Sequence, residues 1–222
     1  MKTIVLSLGG SIIVPGKIDV GFLKQFRELI LKTNDKVVII CGGGKTCRNY
    51  ISAAKCVTNL EKDADDWVGI MSTRLNAELV KSIFGKYAHD KVIYEFDKKI
   101  KSDKKIIIGA GWKPGCSSDM DAVLATKMFN TDTVINLSNI DYVYDKDPRK
   151  FSDAKPIKKI SWKDFRKLVG DKWIAGINKP FDPVSTKKAE KLKLKVIVMK
   201  GTDINNLEDF FKGRKFKGTV IG

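Results

Sequence analysis

Histidine is almost missing from this chain, with His89 the only one, and none of the four cysteines, Cys41, Cys47, Cys56 and Cys116, stands in a C-x-x-C spacing. These shortages leave no Cys/His zinc site, a chain of this length needs no disulfide framework to bury a core, and a reducing cytoplasm is the natural reading. Long hydrophobic runs are missing too: nothing approaches the roughly 18 apolar residues of a membrane span. The opening "MKTIVLSLGGSIIV" superficially resembles a secretory leader. Its apolar run is broken by Gly9-Gly10-Ser11, and it lacks an A-x-A-like cleavage site. Arginine is scarce as well: a formal charge of +16 rests on 42 basic residues, of which six are arginine and the rest lysine. Arginine is the side chain suited to bidentate reading of phosphates and guanine edges, whereas scattered lysines mainly solvate a surface. No specific nucleic-acid partner and no membrane partner are therefore expected, and the positive field attracts small anions.

What is present is a set of strand-length apolar runs: "TIVLSL" (3–8), "KVVIIC" (36–41), "KVIY" (91–94), "KIIIG" (105–109), "TVINL" (133–137) and "KVIVM" (195–199). Most are continuous rather than alternating, as for strands buried on both faces of a parallel sheet. Helical periods lie between them. Phe22, Leu23, Phe26, Leu29 and Ile30 form one stripe behind an Asp19 cap, and Trp67, Val68, Met71, Leu75, Leu79 and Ile83 form a longer one. The alternation predicts one α/β domain with a mainly parallel sheet in its 222 residues.

In such a sheet, ligands collect beyond the carboxyl ends of the strands. Three glycine-rich turns fall there: Gly9-Gly10-Ser11, Gly42-Gly43-Gly44-Lys45 and Gly109-Ala110-Gly111-Trp112-Lys113-Pro114-Gly115. The second is not a P-loop, because G-x-x-x-x-G-K-S/T needs a glycine where Ile39 stands; nor is it a G-x-G-x-x-G turn, which needs one at Cys47. Each turn alone is an ordinary helix entry. Together they expose backbone N–H groups to a polyanion, aided by the positive ends of the helices that follow. A fourth loop, "NLSNIDYVYDKDPRKFSDAKPIKKIS", carries carboxylates instead. Asp145 and Asp153 read as turn residues, while the Asn-x-Asp turn ending "TVINL" is placed to serve ribose, base or magnesium.

The blocks "GGS", "GGGKTCRNY", "DDWVGIMSTRLNAELV", "GWKPGCSSD", "NLSNIDYVYDKDPRKF" and "FDPVSTKKAEKLKLKVIVM" resemble the amino acid kinase superfamily, and within it the archaeal type of uridylate (UMP) kinase. The resemblance runs nearly end to end. It implies a three-layer αβα sandwich, one domain over 1–222, with an acceptor lobe over about 1–130 and an ATP lobe over about 131–222. It implies transfer of the γ-phosphoryl of Mg-ATP to UMP, a Mg²⁺ cofactor, and a homo-oligomer of hexamer type. Gly9, Gly10 and Ser11 then resemble the turn that holds the transferred phosphate oxygens. Gly43 resembles an acceptor contact, with Gly44 and Arg48 near the phosphates on the ATP side. Asp66 resembles the ribose carboxylate of the UMP site. Trp112, Lys113, Pro114, Gly115, Cys116, Ser117 and Ser118 resemble the loop around the pyrimidine, and Ser138, Asn139, Tyr144 and Asp147 resemble ATP contacts.

Two positions depart from that pattern. Many relatives carry a lysine in strand one where this chain has Ser7, which passes the cationic role to another side chain, with Lys45 the candidate. Trp112, Lys113 and Cys116 replace smaller, hydroxyl-bearing or histidine side chains, and the tryptophan either stacks on a base or closes the pocket. Rival readings are another kinase of the superfamily, with a carboxylate, carbamate or isopentenyl phosphate acceptor, and a non-catalytic nucleotide- or oxyanion-binding protein. Asp66 argues against the first, since an acceptor without ribose has no use for it; Ser7 favours the second.

Overall fold

The computed structural model describes residues 2–61, 63–98, 100–170 and 179–222. In chain order the elements are β1 (Thr3–Leu8), α1 (Gly10–Ile13), α2 (Val20–Lys32), β2 (Lys36–Cys41), α3 (Gly44–Val57), α4 (Ala64–Phe84) and β3 (Ile106–Gly109). Then come α5 (Ser118–Met128), β4 (Thr133–Ser138), the short β5 (Val143–Tyr144), β6 (Pro156–Ile157) and β7 (Lys159–Ile160), and α6 (Trp162–Val169). The chain ends with α7 (Pro183–Lys191), β8 (Lys195–Lys200), α8 (Ile204–Phe211) and β9 (Thr219–Ile221).

The central sheet has the order β3-β2-β1-β4-β8-β9-β7. Its pairs are parallel except β8 with β9. From β1 the chain steps outward through β2 to β3, then returns to lay β4 on the other side of β1. That reversal opens a crevice beyond the carboxyl ends of β1 and β4, where an open α/β sheet takes its ligand.

Strand alternation sorts the core into two layers. Ile4, Leu6 and Leu8 join α2, α4 and α8 on one face, while Val5, Val38 and Val134 join α5, α6 and α7 on the other, giving the three-layer αβα sandwich. The apolar stripe of α2 is buried as its periodicity predicts, and Asp19 caps the helix by accepting the Phe22 N–H at 2.9 Å. Each such buried side chain contributes about 1.5–3 kcal/mol.

Two expectations need correction. "KVIY" is not a strand: Val92 and Ile93 are buried, but the segment meets β3 in a single isolated bridge, Ile93 with Gly109, and the residues before it in another, Ala88 with Ile106. Its amides are satisfied at separate points, His89 N–H on Ile106 and Ile93 N–H on Ile108, with a bend between that no continuous ladder tolerates. On α4 the expected stripe faces the wrong way at its N-terminal end: Trp67, Met71 and Leu75 are 49, 58 and 64% exposed. The buried face is Ile70, Ser72, Asn76, Ala77, Val80 and Phe84. It contains small and polar residues that hydropathy alone does not count, and they are held there by hydrogen bonds rather than by burial of apolar area.

Candidate active site

The first two glycine turns interlock at the head of the crevice. Gly9 N–H donates to Leu137 O of β4 at 3.1 Å, and Gly42 N–H donates to Leu8 O of β1 at 3.0 Å. Gly10 lies against the second turn so closely that a Cβ there would sit 2.0 Å from Gly44 N and 2.5 Å from Gly42 C. Gly44 has φ +65°, the left-handed region that glycine adopts without strain. From below, the buried amide of Asn76 on α4 donates to Gly42 O at 2.7 Å and Gly43 O at 3.2 Å. Of the helices these turns open, α1 has only four residues, so the larger dipole is that of α3. Lys45 is exposed, with its amide tied to Val14 O at 3.0 Å.

The third turn is clamped along α4. Gly111 N–H donates to Thr73 Oγ1 at 2.8 Å, Arg74 donates to Gly111 O at 3.2 Å and Trp112 O at 3.1 Å, and Gly115 N–H donates to Asp66 Oδ2 at 2.8 Å. The Arg74 guanidinium also lies over the Tyr94 ring, 4.3 Å from its centroid. Between this loop, α3 and α4 runs a cavity of about 710 Å³. Cys47, Arg48, Ile51 and Ser52 of α3 line one wall, Asp66, Gly69 and Thr73 of α4 the floor, and Gly115, Cys116, Ser117 and Ser118 the other wall. Asp182 and Val184 reach it from α7. Burial raises both the Cys47 and Cys116 thiols, so they stay protonated and act as small apolar linings.

A carboxylate network joins the two sides of the crevice. Asp119 accepts from Ser7 Oγ at 3.1 Å, Asn136 Nδ2 at 3.4 Å and the Asp182 amide at 3.0 Å. Loss of solvent lifts its carboxyl to about 6, the amide and the Ser7 hydroxyl opposing that rise. Asp182 caps α7 through Val184 N–H at 2.9 Å and accepts from Ser117 Oγ and Ser185 Oγ, both at 2.6 Å. Ser117 is itself the cap of α5, accepting from Met120 N–H at 3.2 Å. The N-termini of α5 and α7 are thus bound head to head through one carboxylate.

The residues singled out from the sequence do not all converge. Asp66, Arg48, Gly115, Cys116, Ser117 and Ser118 line the cavity. Gly9, Gly10, Gly43 and Gly44 form the interlocked turns, with Ser11 half-buried in α1. Trp112 packs against the core beneath the loop, and Lys113 Nζ lies 4.2 Å from the centre of its ring. Ser138 ends β4 and accepts the Gly201 amide through its carbonyl at 2.8 Å, Asn139 follows it exposed, and half-buried Tyr144 pairs with Pro156. The Asp147 carboxylate is held by Arg149 at 3.0 Å through both oxygens, which keeps its pKa below the usual range. Asp145 and Asp153 are turn residues as expected, accepting from the Lys155 amide and Lys146 Nζ.

Thr73, Arg74, Asn76, Asp119, Asn136 and Asp182 were not singled out. The signal for Asn136 was legible: a polar residue within a strand buried on both faces demands a hydrogen-bond partner. Among the described residues no helix is long and apolar enough to cross a membrane, and no three His, Cys, Asp or Glu side chains converge as a cage for a metal ion.

The amino acid kinase family model matches residues 2–200. The chain is 36% identical to a uridylate kinase of Methanococcus aeolicus and 33% identical to one of Thermococcus kodakarensis, each alignment covering 98% of both proteins. Its fold superimposes on the crystal structure of a uridylate kinase from Archaeoglobus fulgidus with a TM-score of 0.83 at 30% identity, covering 100% of both chains.

Proposed function

Because the chain belongs to the amino acid kinase family, we propose that it is a uridylate kinase, transferring the γ-phosphoryl group of ATP to UMP to give ADP and UDP. The observation that carries this reading is the cavity beside the interlocked glycine turns, with a carboxylate, Asp66, on its floor. A UMP phosphate oxygen forms the new bond to the γ-phosphorus as the bond to the β-bridging oxygen breaks. That phosphate is already ionised at neutral pH, so no general base is needed, and positioning and charge neutralisation carry the acceleration.

In this reading residues of about 1–130 form the acceptor lobe and those of about 131–222 the ATP lobe. Asp66 takes the UMP ribose, Gly43 and the 112–118 loop the rest of the acceptor, and Gly9, Gly10 and Ser11 the moving phosphoryl group. Gly44, Arg48, Ser138, Asn139, Tyr144 and Asp147 serve ATP. The position of Arg48 on the acceptor cavity suits a side chain that reaches the phosphates from the UMP side. Mg²⁺ would enter as the Mg-ATP complex, held mainly by phosphate oxygens, as this ion commonly is in sites that transfer phosphoryl groups. The exposed apolar residues Tyr50, Val57, Trp67, Met71 and Leu75 on α3 and α4 support a homo-oligomer, a hexamer by family resemblance. A cytoplasmic site of action suits four free cysteines.

An assay of ADP release with UMP, CMP, dTMP, AMP and carboxylate acceptors tests the reading: UMP is expected to be preferred, and no acceptor above background hydrolysis ends it. In the same assay Asp66→Asn should raise the UMP KM and leave the ATP KM nearly unchanged; equal losses of both contradict the division into lobes. Lys45→Ala should lower turnover at least tenfold, about 1.4 kcal/mol of barrier. A smaller loss assigns the cationic role elsewhere.

A further inference from the structure

Asn76 is buried on α4, and its side-chain amide donates to two successive carbonyls of the second glycine turn, Gly42 O at 2.7 Å and Gly43 O at 3.2 Å. Gly43 O also accepts the Cys47 N–H at 3.3 Å, whereas Gly42 O has no other donor among the described residues. The peptide bonds here are trans, and in a trans peptide the N–H points opposite to the C=O of the same unit. Gly42 O shares its unit with Gly43 N–H, and Gly43 O shares its unit with Gly44 N–H. With both oxygens drawn to Asn76, both N–H groups point away from it. Neither has an acceptor among the described residues: Gly44 opens α3, where a first-turn N–H has no intrahelical partner, and the amide bonded to Val14 O is the next one, Lys45. Gly43 is right-handed, at φ −79° and ψ −31°, and Gly44 is left-handed, at φ +65°. That succession makes consecutive N–H groups converge on a concavity that takes an anionic oxygen.

We propose that Asn76 is a positioning residue for phosphoryl transfer: by holding the Gly42 and Gly43 carbonyls from α4, it keeps the Gly43 and Gly44 N–H groups turned together toward the phosphates. The kinetic consequence rests on the uridylate kinase reading; the orientation of the two amides does not. Glycine makes such a hold necessary. A Gly-Gly-Gly run has wide backbone freedom, so without an anchor its peptide units can flip and present a carbonyl where a phosphate oxygen needs a donor. The anchor fits the place. Ser72, four residues earlier on the same face of α4, is small enough for the turn to come close, a Cβ built on Gly43 lying 3.5 Å from Ser72 Cβ. A donor fixed before the reaction needs no reorientation as charge moves between the two nucleotides.

Two readouts separate positioning from simple support of the core. Asn76→Leu keeps the volume and donates nothing. In a variant shown to be folded by circular dichroism, kcat should fall about 30-fold and UMP should bind about tenfold more weakly, because misplaced positioning groups lose much of their effect within about 1 Å. Inhibition by uridine, which has the base and ribose but no phosphate, should stay within about twofold of the wild type, since the N–H pair meets phosphate alone. Equal losses for UMP and uridine reduce Asn76 to general support of the cavity and overturn the proposal. The second readout needs no acceptor chemistry. In wild-type protein carrying isotope-labelled glycine, inorganic pyrophosphate should move the amide resonances of Gly43 and Gly44, and in N76L it should leave them in place. Wild-type resonances that do not respond, or N76L resonances that respond equally, overturn the proposal. The wild-type measurement decides even if N76L fails to fold or no acceptor turns over.

Discussion

Gly10→Ala is expected to lower kcat/KM by at least about 100-fold while leaving the sheet folded. A methyl group at Gly10 would lie 2.0 Å from Gly44 N, 2.5 Å from Gly42 C and 2.6 Å from Gly42 O, all backbone atoms that cannot rotate away. The reverse contact is as tight, since a Cβ on Gly44 would meet Gly10 O at 2.1 Å. The first two turns must therefore move apart, and overpacking of this kind costs about 1–3 kcal/mol of stability. The larger effect is on the reaction: misplacing positioning groups by about 1 Å can cost about 100-fold, or roughly 2.7 kcal/mol of barrier. Gly16→Ala is the control, because a Cβ there meets nothing within 4 Å. Steady-state kinetics on both variants, after circular dichroism has established their fold, decide the matter. A G10A enzyme with more than a tenth of wild-type activity would show that the two turns do not work as a unit.

Asp119→Ala should be nearly as damaging, for a different reason. Its carboxylate is the common acceptor for the Ser7 hydroxyl of β1, the Asn136 amide of β4 and the backbone amide of Asp182, so one side chain ties both sides of the switch point to the start of α7. Asn136 retains a second acceptor, Pro180 O at 3.1 Å, whereas among the described residues the Ser7 hydroxyl and the Asp182 amide have no acceptor besides Asp119. Each buried polar group left unmatched costs about 1–3 kcal/mol. A drop in melting temperature and a kcat at least about 100-fold lower are expected together, with Asp119→Asn intermediate in both. Loss of melting temperature with kcat intact would reduce Asp119 to a structural tie.

The fold was legible because its strands are continuous apolar runs and its helices carry caps: Asp19 and the glycine turns mark their own boundaries. The glycine turns were legible as a set because a side chain is missing wherever two backbones nearly touch, and Gly10, Gly42 and Gly44 are such places. Legibility failed where burial is polar. Asn76, Asp119 and Asp182 are held in place by partners distant in sequence, and a single chain read along its length does not show which segments will meet. For the same reason Trp67, Met71 and Leu75 passed for core: apolar spacing on a helix says that a face is apolar, not that it turns inward. Trp112 helped to single out its loop in the sequence, yet its ring packs beneath the loop and is not among the residues that line the cavity.

The central claim is that the glycine turns at the ends of β1, β2 and β3 serve one gap in which a donor and an acceptor nucleotide meet by their phosphates. Isothermal titration with a uridine and an adenosine joined through a polyphosphate bridge tests it most directly. The linked compound should bind more tightly than either nucleotide alone, at one site per chain, and should be displaced by both UMP and ATP. Displacement by only one of them, or binding no tighter than the better single nucleotide, would contradict it.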